Sequence, residues 1–118
     1  MAVKIITERK FKAPPRAEDI RVINELRIKA MAQKGYISGE TLVETEDDRK
    51  IVVISVWSGL EQWKTWVNSE ERREMEDELT QDLEEPAKIR PFLMGVDCLE
   101  ELFEEAMLGS ERQLKDSL

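Results

Sequence analysis

The chain has 118 residues, of which 41% are hydrophobic and 37% are charged, and this balance is typical of one folded domain and excludes a disordered chain. Its formal net charge of −8 argues against nucleic acid as a partner, because phosphate binding needs a basic surface. The absence of histidine excludes a histidine-based triad and histidine metal ligands, which leaves carboxylates, lysines, the single tyrosine, the single thiol or the substrate itself for any chemistry.

The first strand and the first helix are predicted by their side-chain periodicity. Apolar and polar side chains alternate over Val3–Phe11, which predicts a strand. The sequence APPRAED ends this strand, and its prolines are typical of the approach to a helix. The helix is predicted by apolar residues at helical spacing, namely Ile20, Ile23, Leu26 or Arg27, Ala30 and Met31. The pair Lys34-Gly35 predicts its end, with Gly35 as a left-handed cap.

Two further strands are predicted on either side of a polar turn. The sequence YISGETLVE, Tyr36–Glu44, predicts the second strand, and one of its faces carries Tyr36, Ser38, Glu40, Leu42 and Glu44. Residues 46–49 are acidic and basic and predict the turn. The sequence KIVVISVW, Lys50–Trp57, is apolar on both faces, which predicts a central strand that is covered on both sides.

Residues 58–86 predict two short helices. Ser58 and Glu61 match a capping box, so the first helix is predicted to begin there. Trp66 flanks the apolar stripe of this helix, which consists of Leu60, Trp63 and Val67. The second helix is predicted to begin at Asn68-Ser69, and its thin apolar stripe consists of Met75, Leu79 and Leu83.

The end of the chain predicts one more strand and one more helix. Pro91 lies inside the predicted fourth strand, Ala87–Val96, and indicates an edge or bulged strand because proline cannot donate to a ladder. Residues 97–118 contain a helix start followed by a clean apolar face. We therefore divide the chain into a domain over residues 1–96 and a C-terminal amphipathic helix and tail over residues 97–118.

The order of these elements predicts the fold class. A βαββαβ order is typical of an α+β, ferredoxin-like fold, with a four-stranded antiparallel sheet and helices on one face. Helices cover only one side of such a sheet, whereas the third strand is apolar on both faces. A second copy that packs sheet against sheet supplies the missing cover, so we predict a homodimer.

Two stretches, GYISGETLVE and DDRKIVVISVWSGLEQWKTWVNSEER, share a pattern with a known family. The pattern consists of a Gly-aromatic opening of the second strand, a Trp-Ser end of the third strand, a Trp nine residues later and a polar break; here these are Gly35-Tyr36, Trp57-Ser58, Trp66 and Asn68-Ser69. The chain resembles the antibiotic biosynthesis monooxygenase family of the dimeric α/β-barrel superfamily, over roughly residues 3–94.

The resemblance implies a dimer that closes into an α/β barrel, with a pocket between each sheet and its helices. It also implies oxidation of polycyclic phenols by dioxygen without metal or flavin, through positioning and electrostatics. A related branch degrades haem with an Asn, a Trp and a His, which fall by spacing on Glu8, Trp66 and Glu76. Two of these three residues are replaced, so we do not expect haem degradation.

Three residues are predicted to be catalytic. Glu8 is predicted to point into the pocket and to take a phenolic proton; alternatively, it is a surface charge paired with Lys10 or Arg9. Trp66 is predicted to line the pocket, the alternative being a core tryptophan whose N–H is bonded. Asn68 is predicted to hydrogen-bond a substrate oxygen, the alternative being a cap of the next helix.

Substrate binding is assigned to Tyr36, Trp57 and Trp66. Tyr36 is predicted to orient the substrate through its hydroxyl, although tyrosine is also an ordinary strand residue. Core packing is the alternative role of Trp57 and the expected role of Trp63. The acidic run over residues 70–85 indicates a solvated helix face, and we expect neither a metal nor a cofactor site.

Two functions stay open from the sequence. The first is a cofactor-independent monooxygenase acting on an aromatic, phenolic or polycyclic, small molecule. The second is a non-catalytic dimeric module of the same fold that binds a small molecule or a partner protein. No membrane partner is expected, since no apolar run approaches roughly 20 residues. The single Cys98 and an N-terminus without a signal-like apolar stretch predict a cytoplasmic protein.

Overall fold

The computed structural model describes residues 1–95, which form four strands and three helices. In chain order the elements are β1 (Val3–Lys10), α1 (Ala17–Met31), β2 (Tyr36–Val43), β3 (Lys50–Trp57), α2 (Leu60–Val67), α3 (Glu70–Thr80) and β4 (Lys88–Leu93). This order confirms the predicted ferredoxin-like α+β fold, in which the second helical segment is divided into α2 and α3. The predicted C-terminal helix, residues 97–118, lies outside the described residues.

The strands form one antiparallel sheet in the order β2-β3-β1-β4. β3 is therefore central, as its apolar sequence predicts, and β4 lies at an edge. Pro91 pairs with Ile5 of β1 and has no strand on its other side within residues 1–95. The predicted edge position of the proline strand is confirmed, because an edge strand needs ladder bonds on one side only.

A bulge in β2 changes the faces predicted for that strand. Tyr36 pairs with Trp57 and Ser38 pairs with Val56, so Ile37 is an extra residue in the ladder. Beyond the bulge, Gly39 and not Ser38 lies on the same face as Tyr36. The predicted grouping of Tyr36 with Ser38, Glu40, Leu42 and Glu44 is wrong, because one inserted residue moves every later side chain to the opposite face.

The core lies between the sheet and α1, α2 and α3. The helix-facing side of the sheet contributes Val3, Ile5, Ile51 and Trp57, and the helices contribute Val22, Trp66 and Leu79 among others. On α1, the predicted core positions Ile23, Leu26 and Ala30 are buried. Ile20 and Met31 are 40% and 59% exposed, so their predicted place on the apolar stripe is wrong. Their helical phase lies about 100° or more from the centre of the buried stripe.

Gly35 has the predicted left-handed conformation, with φ of +93°. An added Cβ would lie 2.6 Å from Cβ of Gln62, so α2 also packs closely against this glycine. The Gly35 carbonyl accepts a hydrogen bond of 2.7 Å from the backbone N–H of Ser58. The predicted Ser58 capping box is wrong: Gly59 is the N-cap of α2 and no side chain caps that end.

Candidate functional site

A cavity lies between the helix-facing side of the sheet and the three helices. β1, β2 and β3 form its floor, and α1, α2 and α3 form its walls. The cavity has a volume of about 70 Å³, and about 560 Å³ is empty when the open space at its mouth is included. Aromatic and charged side chains share the lining, the aromatic ones being Tyr36, Trp57, Trp63 and Trp66 and the charged ones Arg9, Arg27, Arg72 and Glu76.

All three tryptophans of the chain line this cavity. Trp57 ends β3, and its indole N–H donates to Oγ of Ser55 at 3.1 Å. Trp63 and Trp66 lie three residues apart on α2 and therefore share a face of the helix. Trp66 is 5% exposed, and no hydrogen-bond acceptor within residues 1–95 is found for its indole N–H. Trp57 and Trp66 border the cavity, as Trp63 does, and both also belong to the buried core; their contact with a substrate stays a prediction.

Tyr36 meets Trp57 edge to face, with ring centroids 5.3 Å apart and an interplanar angle of 89°. The close approach depends on Gly39, because an added Cβ there would lie 2.2 Å from the Tyr36 hydroxyl. Burial raises the pKa of Tyr36 above its ordinary value, while the Arg27 guanidinium acts in the opposite direction. The hydroxyl therefore stays a neutral donor or acceptor within the cavity at neutral pH.

The charged part of the lining is a cluster of Arg9, Arg72 and Glu76. Arg9 lies on the inner face of β1, and Arg72 and Glu76 are one turn apart on α3. Nη2 of Arg9 donates to Oε1 of Glu76, and Nη2 of Arg72 lies 3.2 Å from the same oxygen. Burial lowers the pKa of Arg72, an effect that Glu76 opposes and Arg9 reinforces. The cluster keeps the two guanidiniums together through one carboxylate.

Arg9 is a site residue that the sequence reasoning missed. Its position in the alternation of β1 gives the signal, since Arg9 has the same phase as the buried residues Val3 and Ile5. A charged residue in phase with apolar ones is unusual and indicates a partner inside the protein.

Glu8 lies on the opposite face of the sheet from the cavity, so its predicted position in the pocket is wrong. Adjacent strand residues point to opposite faces, and Arg9 already faces the helices. Oε1 of Glu8 lies 3.3 Å from Nζ of Lys50 and 3.9 Å from Nη2 of Arg90. These partners, and not Lys10, hold Glu8 as a surface charge.

Asn68 also lies outside the cavity lining and is exposed. It ends α2, where its backbone N–H donates to the Lys64 carbonyl at 3.0 Å. Ser69 is the N-cap of α3, and its Oγ accepts from the backbone N–H of Arg72 at 3.2 Å. The alternative role of Asn68 as the cap is therefore wrong as well. Ser69 is the residue that caps α3, and its hydrogen bond fixes the backbone of Arg72 in the first turn.

The sequence model of the antibiotic biosynthesis monooxygenase family matches residues 2–88. The chain belongs to the antibiotic biosynthesis monooxygenase family. No curated protein matches the chain in sequence. Membership supports a monooxygenase-type function at the level of the family, and the matched range includes every residue of the cavity named above.

Solved structures with the same fold include members of this family. A conserved protein from Methanosarcina mazei Go1 is 15% identical, with a TM-score of 0.74 over 80% of this chain and 94% of that one. SnoaB, a cofactor-independent oxygenase from Streptomyces nogalater, is 17% identical, with a TM-score of 0.71 over 80% and 93%. Rv0793 from Mycobacterium tuberculosis is 10% identical, with a TM-score of 0.72 over 80% and 96%. At these identities the likeness is one of fold.

Within residues 1–95, no group of three or more His, Cys, Asp or Glu side chains is placed to hold a metal ion. None of the helices in the same range is long and apolar enough to cross a membrane.

Proposed function

We propose that this protein binds an aromatic small molecule in the cavity and oxidises it with dioxygen, as a cofactor-independent monooxygenase. The observation that carries the proposal is the convergence of Tyr36 and all three tryptophans on one cavity between sheet and helices. Aromatic walls bind flat rings through offset and edge-to-face contacts. Family membership supplies the reaction type.

The reaction that fits such a site needs an electron-rich substrate. One oxygen atom enters a phenolic or anthrone-type ring, the other leaves as water with two hydrogens from the substrate, and the substrate supplies the electrons. The chain contributes a fixed ring position, exclusion of water and stabilisation of charge on the substrate. Trp66 offers an indole N–H, and Tyr36 offers a hydroxyl, to an oxygen of the ring system.

A non-catalytic binding module is the second candidate. The observation that favours it is that the carboxylate lining the cavity is already paired with arginines. Glu76 is the carboxylate that lines the cavity within residues 1–95, and two arginines hold it. Its carboxylate is therefore already engaged by two guanidiniums of the protein and is not presented free to a substrate. The cavity volume of about 70 Å³ is also small for a polycyclic substrate.

Oxygen uptake by the full-length, metal-free protein separates the two candidates. Anthrones and hydroquinones are supplied as substrates, and tryptophan fluorescence is recorded in the same samples. Trp66→Phe removes the indole N–H from the cavity, and Lys64→Ala on the exposed side of α2 is the control. Protein-dependent uptake that falls in Trp66→Phe and persists in Lys64→Ala supports the monooxygenase. Fluorescence quenching without oxygen uptake supports the binding module. The absence of both signals contradicts both candidates.

We also propose that two copies pair through the sheet face that the helices leave open. Ile6, Ile54 and Phe92 lie on that face by the strand register, and Phe92 is 47% exposed. Ile54→Glu is expected to convert a dimer to a monomer in analytical ultracentrifugation. The control is Ile28→Glu, which introduces the same charge at a 63% exposed position of α1. A wild-type monomer, or a dimer that survives Ile54→Glu, contradicts this proposal.

A further inference from the structure

The charged side chains that line the cavity do not balance one another. Three of them are the arginines Arg9, Arg27 and Arg72, and Glu76 is the carboxylate among the lining residues of the described chain. Arg27 is only half-buried and donates to Oγ1 of Thr41, so the buried cluster of Arg9, Arg72 and Glu76 carries a formal charge of +1, whereas the whole chain carries −8. An unbalanced buried cation is unfavourable unless a ligand or another group neutralises it.

Arg9 carries the clearest sign of a missing partner. The residue is 4% exposed, and its Nε is buried without any hydrogen-bond partner among residues 1–95. Its Nη2 is already engaged by Glu76. A guanidinium presents its donors as a rigid planar fork that matches two oxygens of a carboxylate or one anionic ring oxygen. The Nε–H of Arg9 is therefore a buried donor without an acceptor in the described part of the chain, in a residue that lines the cavity.

Glu76 does not satisfy the two guanidiniums it contacts. Both Arg9 and Arg72 approach the same oxygen, Oε1, so one carboxylate oxygen is shared between two cations. The Ser69 cap holds the first turn of α3 from which Arg72 projects, and the sheet register fixes Arg9. Both cations are thus held in place before any ligand arrives, which is the arrangement that favours anion binding.

We propose that the ligand of this cavity is an aromatic molecule with an anionic oxygen, which Arg9 and Arg72 hold beside Glu76. This inference rests on the proposed function, in that the same cavity holds the ring. The anion neutralises the formal charge of +1 on the cluster of Arg9, Arg72 and Glu76 and gives the Arg9 Nε–H an acceptor. The shared chemistry is an oxyanion conjugated to an aromatic ring, and its source is either a carboxylate or an ionised ring hydroxyl.

Paired probes test this assignment on the full-length protein. Naphthoate and its neutral amide, naphthamide, have nearly the same shape, and their affinities are compared by titration calorimetry. Because the amide lacks the negative charge and presents one acceptor oxygen in place of two, naphthoate is expected to bind about 10- to 100-fold more tightly. Para-nitrophenol supplies the second arm, since its visible absorbance shows whether the bound molecule is more ionised than the free one at the same pH.

Variants locate the charge that causes the preference. Arg9→Gln leaves a balanced Arg72–Glu76 pair, and Arg72→Gln leaves a balanced Arg9–Glu76 pair, so each variant keeps a neutral cluster if it folds. Either is expected to bring the naphthoate preference down to about threefold or less, with naphthamide affinity little changed. Arg21→Gln, which removes one charge from the exposed face of α1, is the control and is expected to keep the preference.

The outcomes separate this inference from the proposed function. Equal binding of naphthoate and naphthamide, with unchanged para-nitrophenol ionisation, overturns the anion site and leaves aromatic binding standing. A preference that survives in both arginine variants also overturns it. If neither naphthoate nor naphthamide binds and the ionisation of para-nitrophenol does not change, the anion site and the aromatic ligand are both overturned. A preference for naphthoate without a change in para-nitrophenol ionisation identifies the anionic oxygen as that of a carboxylate. Increased ionisation of para-nitrophenol without a preference for naphthoate identifies it as an ionised ring hydroxyl.

Discussion

Replacing Gly39 by alanine places a methyl group on the Tyr36 hydroxyl. The added Cβ would lie 2.2 Å from the hydroxyl oxygen, whereas an ordinary contact begins at 3.4 Å, so the oxygen has to move by about 1.2 Å. The ring turns about two bonds only and is packed edge to face against Trp57. Any movement that clears the methyl group therefore disturbs this aromatic contact.

The magnitude follows from the contact that is disturbed and from the strain that replaces it. Overpacking typically costs about 1–3 kcal/mol, and the aromatic pair contributes about 0.5–1.5 kcal/mol beyond its buried area. Alanine within a strand stabilises the folded state by about 0.5–1 kcal/mol relative to glycine, which offsets part of this loss. We expect Gly39→Ala to lower the free energy of unfolding by about 1–2 kcal/mol.

A double-mutant cycle with Tyr36→Phe isolates the clash. Phenylalanine removes the oxygen, and the next nearest atom of the ring lies 3.3 Å from the added Cβ. In that background Gly39→Ala is expected to be neutral or stabilising, with a coupling energy of about 1–2 kcal/mol between the two positions. Urea unfolding followed by tryptophan fluorescence measures all four proteins. The reasoning is refuted if Gly39→Ala has the same effect with and without the hydroxyl.

Three further predictions concern the cavity and its supports. Tyr36 is the single tyrosine of the chain, so its alkaline absorbance titration is unambiguous. Because burial raises its pKa, the native midpoint is expected above that of the urea-unfolded chain, and stability is expected to fall as pH rises past the unfolded value of about 10; coincident midpoints would contradict this. Ser69→Ala removes the cap that accepts from Arg72 and is expected to lower unfolding free energy by about 1 kcal/mol, whereas Asn68→Ala is expected to change it by less than about 0.5 kcal/mol; equal losses in urea unfolding would argue against the cap. Leu79→Ala empties a fully buried position and is expected to lower unfolding free energy by about 2–5 kcal/mol, so a loss below about 1 kcal/mol would show that the helices repack.

Part of the candidate site follows from local sequence pattern. Trp57 ends β3, and Trp63 and Trp66 share one face of α2. Strand and helix periodicity therefore bring the three side chains near one another. The same alternation in β1 sends Arg9 inward and Glu8 outward. Spacing relative to the other residues of the resemblance instead predicts that Glu8 lies in the pocket. This prediction is wrong because spacing along the chain carries less information about a face than alternation within one strand.

The sequence by itself determined the order of elements, the edge position of the Pro91 strand, the left-handed Gly35 and the helix face that Trp63 and Trp66 share. Each depends on side chains within a few residues of one another, where propensity and periodicity act directly. Only the tertiary structure decided the bulge that joins Tyr36 to Gly39, and the contact between Arg9 and Glu76, which are 67 residues apart. Register and long-range charge pairing arise when several elements pack at once, so no single segment specifies them.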